Sequence, residues 1–217
     1  MREFVCKESQ RRMRQLLAKL VATLMPHVSV FVQNDFANYV LQTMAEVMEE
    51  DTRKRLHEHL RGQYVTLARH KHSSNVVDSL LRHSETVSRS IVDELVFYKA
   101  KKRGRRRYQV ATQRVSKMLQ HQYANYVVQN ALNRGTPLQH AILSTIIEDS
   151  CKRNGEEWGE AVVSKWTRLL QEAKLAQIEG GVDSSARHGH GSGNAYRGRH
   201  KHHNKPRRGR RRKKRRQ

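Results

Sequence analysis

Proline occurs three times in 217 residues, cysteine twice, and no long uncharged apolar run is present. So little proline leaves long stretches free to be helical, and the recurrence of Met, Leu, Gln, Ala and Arg favours helices over strands. Strand signals are nearly absent. Cys6 and Cys151 cannot make a disulfide framework and have no metal-type spacing, so both read as reduced, buried or partly buried thiols of an intracellular protein. The most apolar stretch, Leu20 to Val32, is short and holds Pro26 and His27, which argues against a bilayer span and leaves no membrane partner. The first twenty residues are rich in Arg, Lys and Gln, unlike a secretory signal. Catalytic patterns are missing too. His57-Glu-His59 lacks the i, i+4 histidine pair of a zinc helix, and Gly189-His-Gly-Ser-Gly193 has no strand before it or helix after it to make a phosphate loop. The reading is therefore no enzyme, no catalytic residue, no metal, no cofactor and no small-molecule substrate.

Negative charge is the other scarcity: 20 acidic residues stand against 43 Lys and Arg, for a net charge of +23. From Arg187 to Arg216 there are 14 Lys and Arg, offset by Glu179 and Asp183 alone, so the tail carries +12 and the body +11. A segment of Gly, Ser, His, Arg and Lys without apolar periodicity cannot repay the entropy of folding, so residues 178–217 are expected to be disordered, with Gly180-Gly181 as the boundary. Its end, Lys205-Pro-Arg-Arg-Gly-Arg-Arg-Arg-Lys-Lys-Arg-Arg-Gln217, reads as a nonspecific phosphate binder, a nuclear or nucleolar address, or a solvated charge run. His188, His190, His200, His202 and His203 lack the Cys or carboxylate companions of a metal tract. A second basic cluster, Lys101-Lys-Arg-Gly-Arg-Arg-Arg107, falls in an insertion at about 99–113 and reads as a loop.

What the chain does have is one pattern three times over. Asn38, Tyr39 and Gln42, then Ser74, Asn75 and Asp78, then Asn125, Tyr126 and Gln129 stand at i, i+1 and i+4 of candidate helices. At about 100° per residue those positions share one arc of a helix, while i+2, i+3 and i+6 lie opposite. Opposite are Val40, Leu41 and Met44; Val76, Val77 and Leu80; Val127, Val128 and Ala131. Each helix is thus expected to be apolar behind and to carry hydrogen-bonding or stacking groups in front. Asn38 and Ser74 are 36 residues apart; Ser74 and Asn125 are 51 apart, which is the same period plus 15 inserted residues. Glu160, 35 residues past Asn125, opens a further helix with Val162-Val163 behind it. A fixed period in this range marks a solenoid, whose units bury their apolar faces only against one another.

These strings, Asn34-Asp-Phe-Ala-Asn-Tyr-Val-Leu-Gln42, His70-Lys-His-Ser-Ser-Asn-Val-Val-Asp78 and His121-Gln-Tyr-Ala-Asn-Tyr-Val-Val-Gln129, resemble the sixth, seventh and eighth repeats of the Pumilio, or PUF, RNA-binding family. The resemblance covers roughly residues 1–175, with a degenerate terminal unit around Trp158. It implies an all-α fold, a right-handed α-α superhelix of three-helix repeats over residues 1–177, armadillo-like and truncated. It also implies one base per repeat, with single-stranded RNA, an mRNA, as the partner. Asn38, Gln42, Ser74, Asp78, Asn125 and Gln129 would read base edges; Tyr39, Asn75 and Tyr126 would stack. The side-chain chemistry agrees. A uracil edge offers acceptors and one N–H donor, suiting the mixed amides of Asn38 with Gln42 and of Asn125 with Gln129. Guanine presents N–H donors that the acceptor-only Asp78 can take, with Ser74 adding a bond.

The code therefore reads U, G, U. One departure is Asp78, where the family's guanine reader carries Glu: either the backbone sits closer, or a water bridges, or guanine selectivity is weakened. By resemblance the function is post-transcriptional control of mRNA stability or translation through 3′ untranslated regions, in the cytoplasm, with protein partners at the inter-repeat insertion. The alternatives are a ribosome-assembly factor that reads RNA shape and charge, and an armadillo-like protein-interaction scaffold. Counting back 36 from Asn38 reaches Arg2, Glu3 and Cys6, so the chain is expected to begin inside a repeat, with Phe4 and Val5 as its remnant and an apolar end left uncovered.

Overall fold

Helix follows helix through most of the chain because apolar residues recur at helical spacing and proline is confined to helix starts among the described residues. The computed structural model describes residues 2–102 and 105–180, and side chains for 11–100 and 107–176. Helix α1 (Arg2–Leu24) passes through a 3-10 turn (Met25–His27) into α2 (Val28–Phe31), α3 (Ala37–Val47) and α4 (Glu50–Leu60). The same short, inner, outer succession recurs as α5 (Tyr64–Leu67), α6 (Ser73–His83) and α7 (Glu85–Val96), and as α8 (Thr112–Leu119), α9 (Ala124–Arg134) and α10 (Pro137–Trp158). Helix α11 (Glu160–Gly180) follows.

Helices α3, α6, α9 and α11 pack in sequence as one row, and α4, α7 and α10 form a second row beside it. The backs of the inner helices make the core. Leu41, Met44, Val76, Val77, Leu80, Val127, Val128 and Ala131 are all buried, each large one stabilising the fold by about 1.5–3 kcal/mol. Val40 departs from expectation at 41% exposed. Helix α3 opens the row, and among the described residues no earlier inner helix stands beside it to cover that position.

Hydrogen bonds fix one outer helix on the next. Ser84 caps α7 by accepting from the Val87 N–H (3.1 Å), and its own hydroxyl donates to Glu50 Oε1 on α4 (2.6 Å). Thr136 and Gln139 form a reciprocal cap on α10. The Gln139 amide then reaches α7, donating to the Arg89 carbonyl (2.8 Å) and Asp93 Oδ1 (2.7 Å). Trp166 of α11 is fully buried and donates its indole N–H to the Leu119 carbonyl (3.3 Å), docking the last helix.

The insertion is not a loop. Residues Phe97–Lys102 (β1) and Arg105–Val110 (β2) pair antiparallel, in register from Phe97 opposite Val110 to Lys102 opposite Arg105. Its base is pinned: the Ala111 N–H donates to the Val96 carbonyl (2.7 Å), and the Arg114 guanidinium donates to the carbonyls of Glu94 (2.8 Å), Leu95 (3.0 Å) and Phe97 (2.8 Å). Lys and Arg dominate the strands and concealed the pairing, since β propensity here resides in Phe97, Tyr98, Tyr108 and Val110 at the anchored end. Helix α11 runs to Gly180, so residues 178–180 are helical where disorder was expected. The remaining tail, 181–217, lies outside the described residues, as do the side chains of Phe4, Val5 and Cys6. Cys151 is half-buried and free. Met13, Leu16, Leu17 and Leu20 form an exposed stripe on α1.

His57 is a structural residue. It is buried with Nδ1 2.9 Å from the Tyr64 hydroxyl and Nε2 3.1 Å from the Ser90 hydroxyl. Burial lowers the pKa of His57, and likewise of His140, below the usual 6.5. The unfolded chain takes up these protons near 6.5 while the folded chain resists, so stability is present above that pH and falls as pH drops through it. A urea midpoint measured between about pH 7 and pH 5 should therefore decline, and His140→Gln should reduce the slope; a midpoint indifferent to pH would contradict buried neutral imidazoles. Trp166→Ala should cost about 3–5 kcal/mol in the same assay. Trp158→Ala, at a half-buried site, should cost clearly less.

Candidate nucleic-acid interface

Each inner helix begins with a residue that binds its own turn. Asn34 Oδ1 accepts the N–H groups of Phe36 (3.0 Å) and Ala37 (2.9 Å), and His121 Nδ1 accepts those of Tyr123 (3.2 Å) and Ala124 (3.3 Å). His70 Nδ1 accepts from the His72 N–H at 3.4 Å. The three stand four residues before Asn38, Ser74 and Asn125 and satisfy N–H groups that a helix start leaves open. His72 Nε2 also lies 3.1 Å from Asp35 Oδ1, tying two successive turns together.

Those turns hold the first residue of each trio. Asn38 Nδ2 donates to the carbonyls of Asn34 (2.7 Å) and Asp35 (2.9 Å), Asn125 Nδ2 to that of His121 (2.7 Å), and the Ser74 hydroxyl to that of Lys71 (3.3 Å). All three are buried, at 1%, 8% and 6% exposure. They form the floor of the face rather than its front, which helical angle alone could not distinguish. The next residues reach outward from that floor. Gln42 Nε2 donates to Asn38 Oδ1 (2.7 Å) and Gln129 Nε2 to Asn125 Oδ1 (2.9 Å). Each glutamine is half-buried, and its Oε1 has no partner among the described residues.

Asp78 occupies the equivalent place on α6 with both oxygens engaged. Arg82 of its own helix donates to Oδ2, and Asn130 of α9 donates to Oδ1. The stacking residues are open: Tyr39 is 58% exposed, Tyr126 59%, and Asn75 is exposed as well. The structure thus brings each trio together on its own helix and sets the three helices side by side.

Two residues that the trio pattern omitted belong to this face. Asn130 is one; Lys165 of α11 is the other. Lys165 Nζ donates to Asn125 Oδ1 at 2.9 Å and lies 5.3 Å from the Tyr126 ring centroid and 5.7 Å from that of Trp166. Burial, with Arg168 adding, lowers its pKa. Gln122, Asn125, Tyr126, Lys165 and Trp166 line a hollow of about 530 Å³ at this end of the row. Both newcomers stand five residues after a first-position residue, Asn125 and Glu160, so extending the trio by one position would have exposed them.

Comparison with known proteins agrees with this geometry. Residues 63–96 and 114–147 each match the Pumilio-family RNA binding repeat; the first span encloses α5–α7, and the second runs from within α8 to the first half of α10. Pumilio homolog 12 of Arabidopsis thaliana is 30% identical over 130 residues, which is 59% of this chain and 20% of that protein. A Pumilio domain-containing protein of Schizosaccharomyces pombe is 27% identical over 128 residues, covering 58% of this chain and 17% of the relative. The chain spans about a fifth of the length of the curated relatives it matches. Among solved structures, PUF-8 in complex with PBE-RNA superposes with a TM-score of 0.55 at 21% identity, over 72% of this chain and 42% of that one. The Puf3 RNA binding domain bound to Cox17 RNA 3′ UTR recognition sequence superposes with a TM-score of 0.57 at 18% identity, over 76% and 50%. At that identity the likeness is one of fold, a superhelix of helical repeats. With two matched repeats, and a third on the same plan at α2 to α4, the chain carries Pumilio-family, or PUF, repeats.

Proposed function

We propose that the inner row binds single-stranded RNA containing U-G-U and that the protein acts on mRNA 3′ untranslated regions to control stability or translation. One observation carries this reading: three trios occupy the same positions of consecutive, packed helices, with Tyr39 and Tyr126 exposed beside them. The solved neighbours were determined with RNA, one of them with a 3′ UTR recognition sequence.

The chemistry follows from groups left open. Gln42 and Gln129 each offer a free Oε1 to the uracil N–H and a second amide N–H to a uracil carbonyl, while Asn38 and Asn125 hold them in that orientation. Asp78 offers its remaining lone pairs to the guanine N–H groups, and Tyr39 and Tyr126 provide ring faces against which bases stack. The role is binding, not catalysis. In the same reading the basic ribbon β1–β2 touches RNA backbone or an acidic protein partner, the site of action is the cytoplasm, and the basic tail is a nuclear or nucleolar address. The net charge of +23 favours a second reading, a factor that grips RNA by charge alone.

Titrating the chain with a U-G-U oligonucleotide and a shuffled one over a range of salt separates the two. Specific reading predicts a constant gap between the two affinities, whereas charge alone predicts two coincident lines of slope about −0.7 per phosphate contacted. Removing residues 187–217 should lower affinity for both RNAs and keep the gap. Asn125→Ala with Gln129→Ala should weaken U-G-U binding by roughly ten- to a hundredfold with helix content unchanged by circular dichroism. Unaltered affinity in that double variant would remove the third repeat from the reading.

A further inference from the structure

Two contacts cross the inner row in the same direction and from the same place. Asn130 on α9 donates back to Asp78 on α6, and Lys165 on α11 donates back to Asn125 on α9. In each case the donor stands five residues after the first trio position of its own helix and ends on the reader of the helix before. The first pair of inner helices lacks the link: the corresponding residue on α6 is Ser79, whose short hydroxyl makes no hydrogen bond to Gln42 among the described residues.

Building on the RNA-reading function above, we propose that the second and third base sites are each built from four side chains, the fourth coming from the next helix: Asn130 for the guanine at Asp78, and Lys165 for the uracil at Asn125 and Gln129. Asp78 is one methylene shorter than Glu, and its Oδ2 is turned toward Arg82. With Nδ2 held on Asp78 Oδ1, the Asn130 amide is planar, oriented and half-buried, and its own Oδ1 has no partner among the described residues. That oxygen sets a second acceptor beside the carboxylate, matching the two kinds of N–H donor on a guanine edge and restoring the reach that the shorter acid loses. Lys165 completes the last site differently. Asn125 Oδ1 already accepts from Gln129 and Lys165, and Asn125 Nδ2 is held by the His121 carbonyl, so Asn125 itself has little left to offer a base. The ammonium retains two N–H donors after binding Asn125, beside the Tyr126 ring on which the uracil would stack, and these suit a uracil carbonyl oxygen. The site is thus assembled only when its successor is in place.

The test measures binding of the full-length chain to U-G-U oligonucleotides substituted one base at a time. Asn130→Ala should lower the preference for guanine over adenine at the middle base by about five- to tenfold while the flanking preferences hold. Adding Asp78→Glu to Asn130→Ala should restore it, because the longer acid recovers the reach; a merely structural Asn130 would not be rescued in this way. Lys165→Met should lower the preference for uracil at the third-repeat base alone, and Ser79→Ala should change no preference. Circular dichroism confirms the fold of each variant. The proposal is overturned if Asn130→Ala and Lys165→Met leave the base ratios intact or weaken every RNA equally. A wild-type chain with no base preference overturns the reading function and the fourth reader together, and the wild-type ratio tells the two failures apart.

Discussion

Stacking of one inner helix on the next is the constraint from which the rest of the molecule follows. Helices of eleven residues such as α3, α6 and α9 are too short to be stable alone, so their apolar backs must be covered by neighbours. Val76, Val77 and Leu80 on α6 and their counterparts on α9 are buried for that reason. Because the helices solve the packing problem with the same positions, Val40 at the open end excepted, the positions opposite fall in register. The groups in front can then differ from repeat to repeat, Gln42, Asp78 and Gln129, without any change in the scaffold beneath them.

Four of the acidic residues are spent on architecture. Glu94 accepts the N–H groups of Gly62 (2.7 Å) and Tyr64 (2.6 Å), Glu50 receives the Ser84 hydroxyl, Asp93 the Gln139 amide, and Asp78 is held by Arg82 and Asn130. With 43 Lys and Arg against 20 acidic residues, the positive charge has little to neutralise it. Such a surface attracts a polyanion of any sequence, and attraction of that kind carries no information about bases. On the reading proposed above, discrimination comes from the side chains of the inner row, which contribute little to affinity at long range and depend on fixed geometry.

The repeat period, the helical class and the trio positions were legible because each is a local property: a trio spans five residues, and a helix fixes their mutual angles. Depth was not. Asn38, Ser74 and Asn125 share an arc with their partners, yet they sink to the floor because turn carbonyls three or four residues earlier capture them. Asn130 and Lys165 escaped because their partners lie 52 and 40 residues away, across a helix interface that no window of sequence displays. The ribbon β1–β2 escaped for a different reason: a run of like charges reads as solvated chain, and the pairing is decided at its base, where Phe97 packs on the core and Arg114 gathers three backbone carbonyls.

On the reading proposed above, the captured amides also explain how a row of flexible side chains can be selective. A free glutamine loses up to about 2 kcal/mol of rotamer freedom when a base fixes it, which would consume much of what one or two hydrogen bonds return. Here that loss is taken during folding. Asn34 and His121 fix the turns, the turn carbonyls fix Asn38 and Asn125, and these in turn fix Gln42 and Gln129. Each glutamine is therefore oriented through a chain of three bonds that ends at the backbone, and on the proposed reading a base meets an edge already set. Substituting a capping residue such as His121 would then disturb recognition without touching a base, because the orientation of Gln129 is inherited from it.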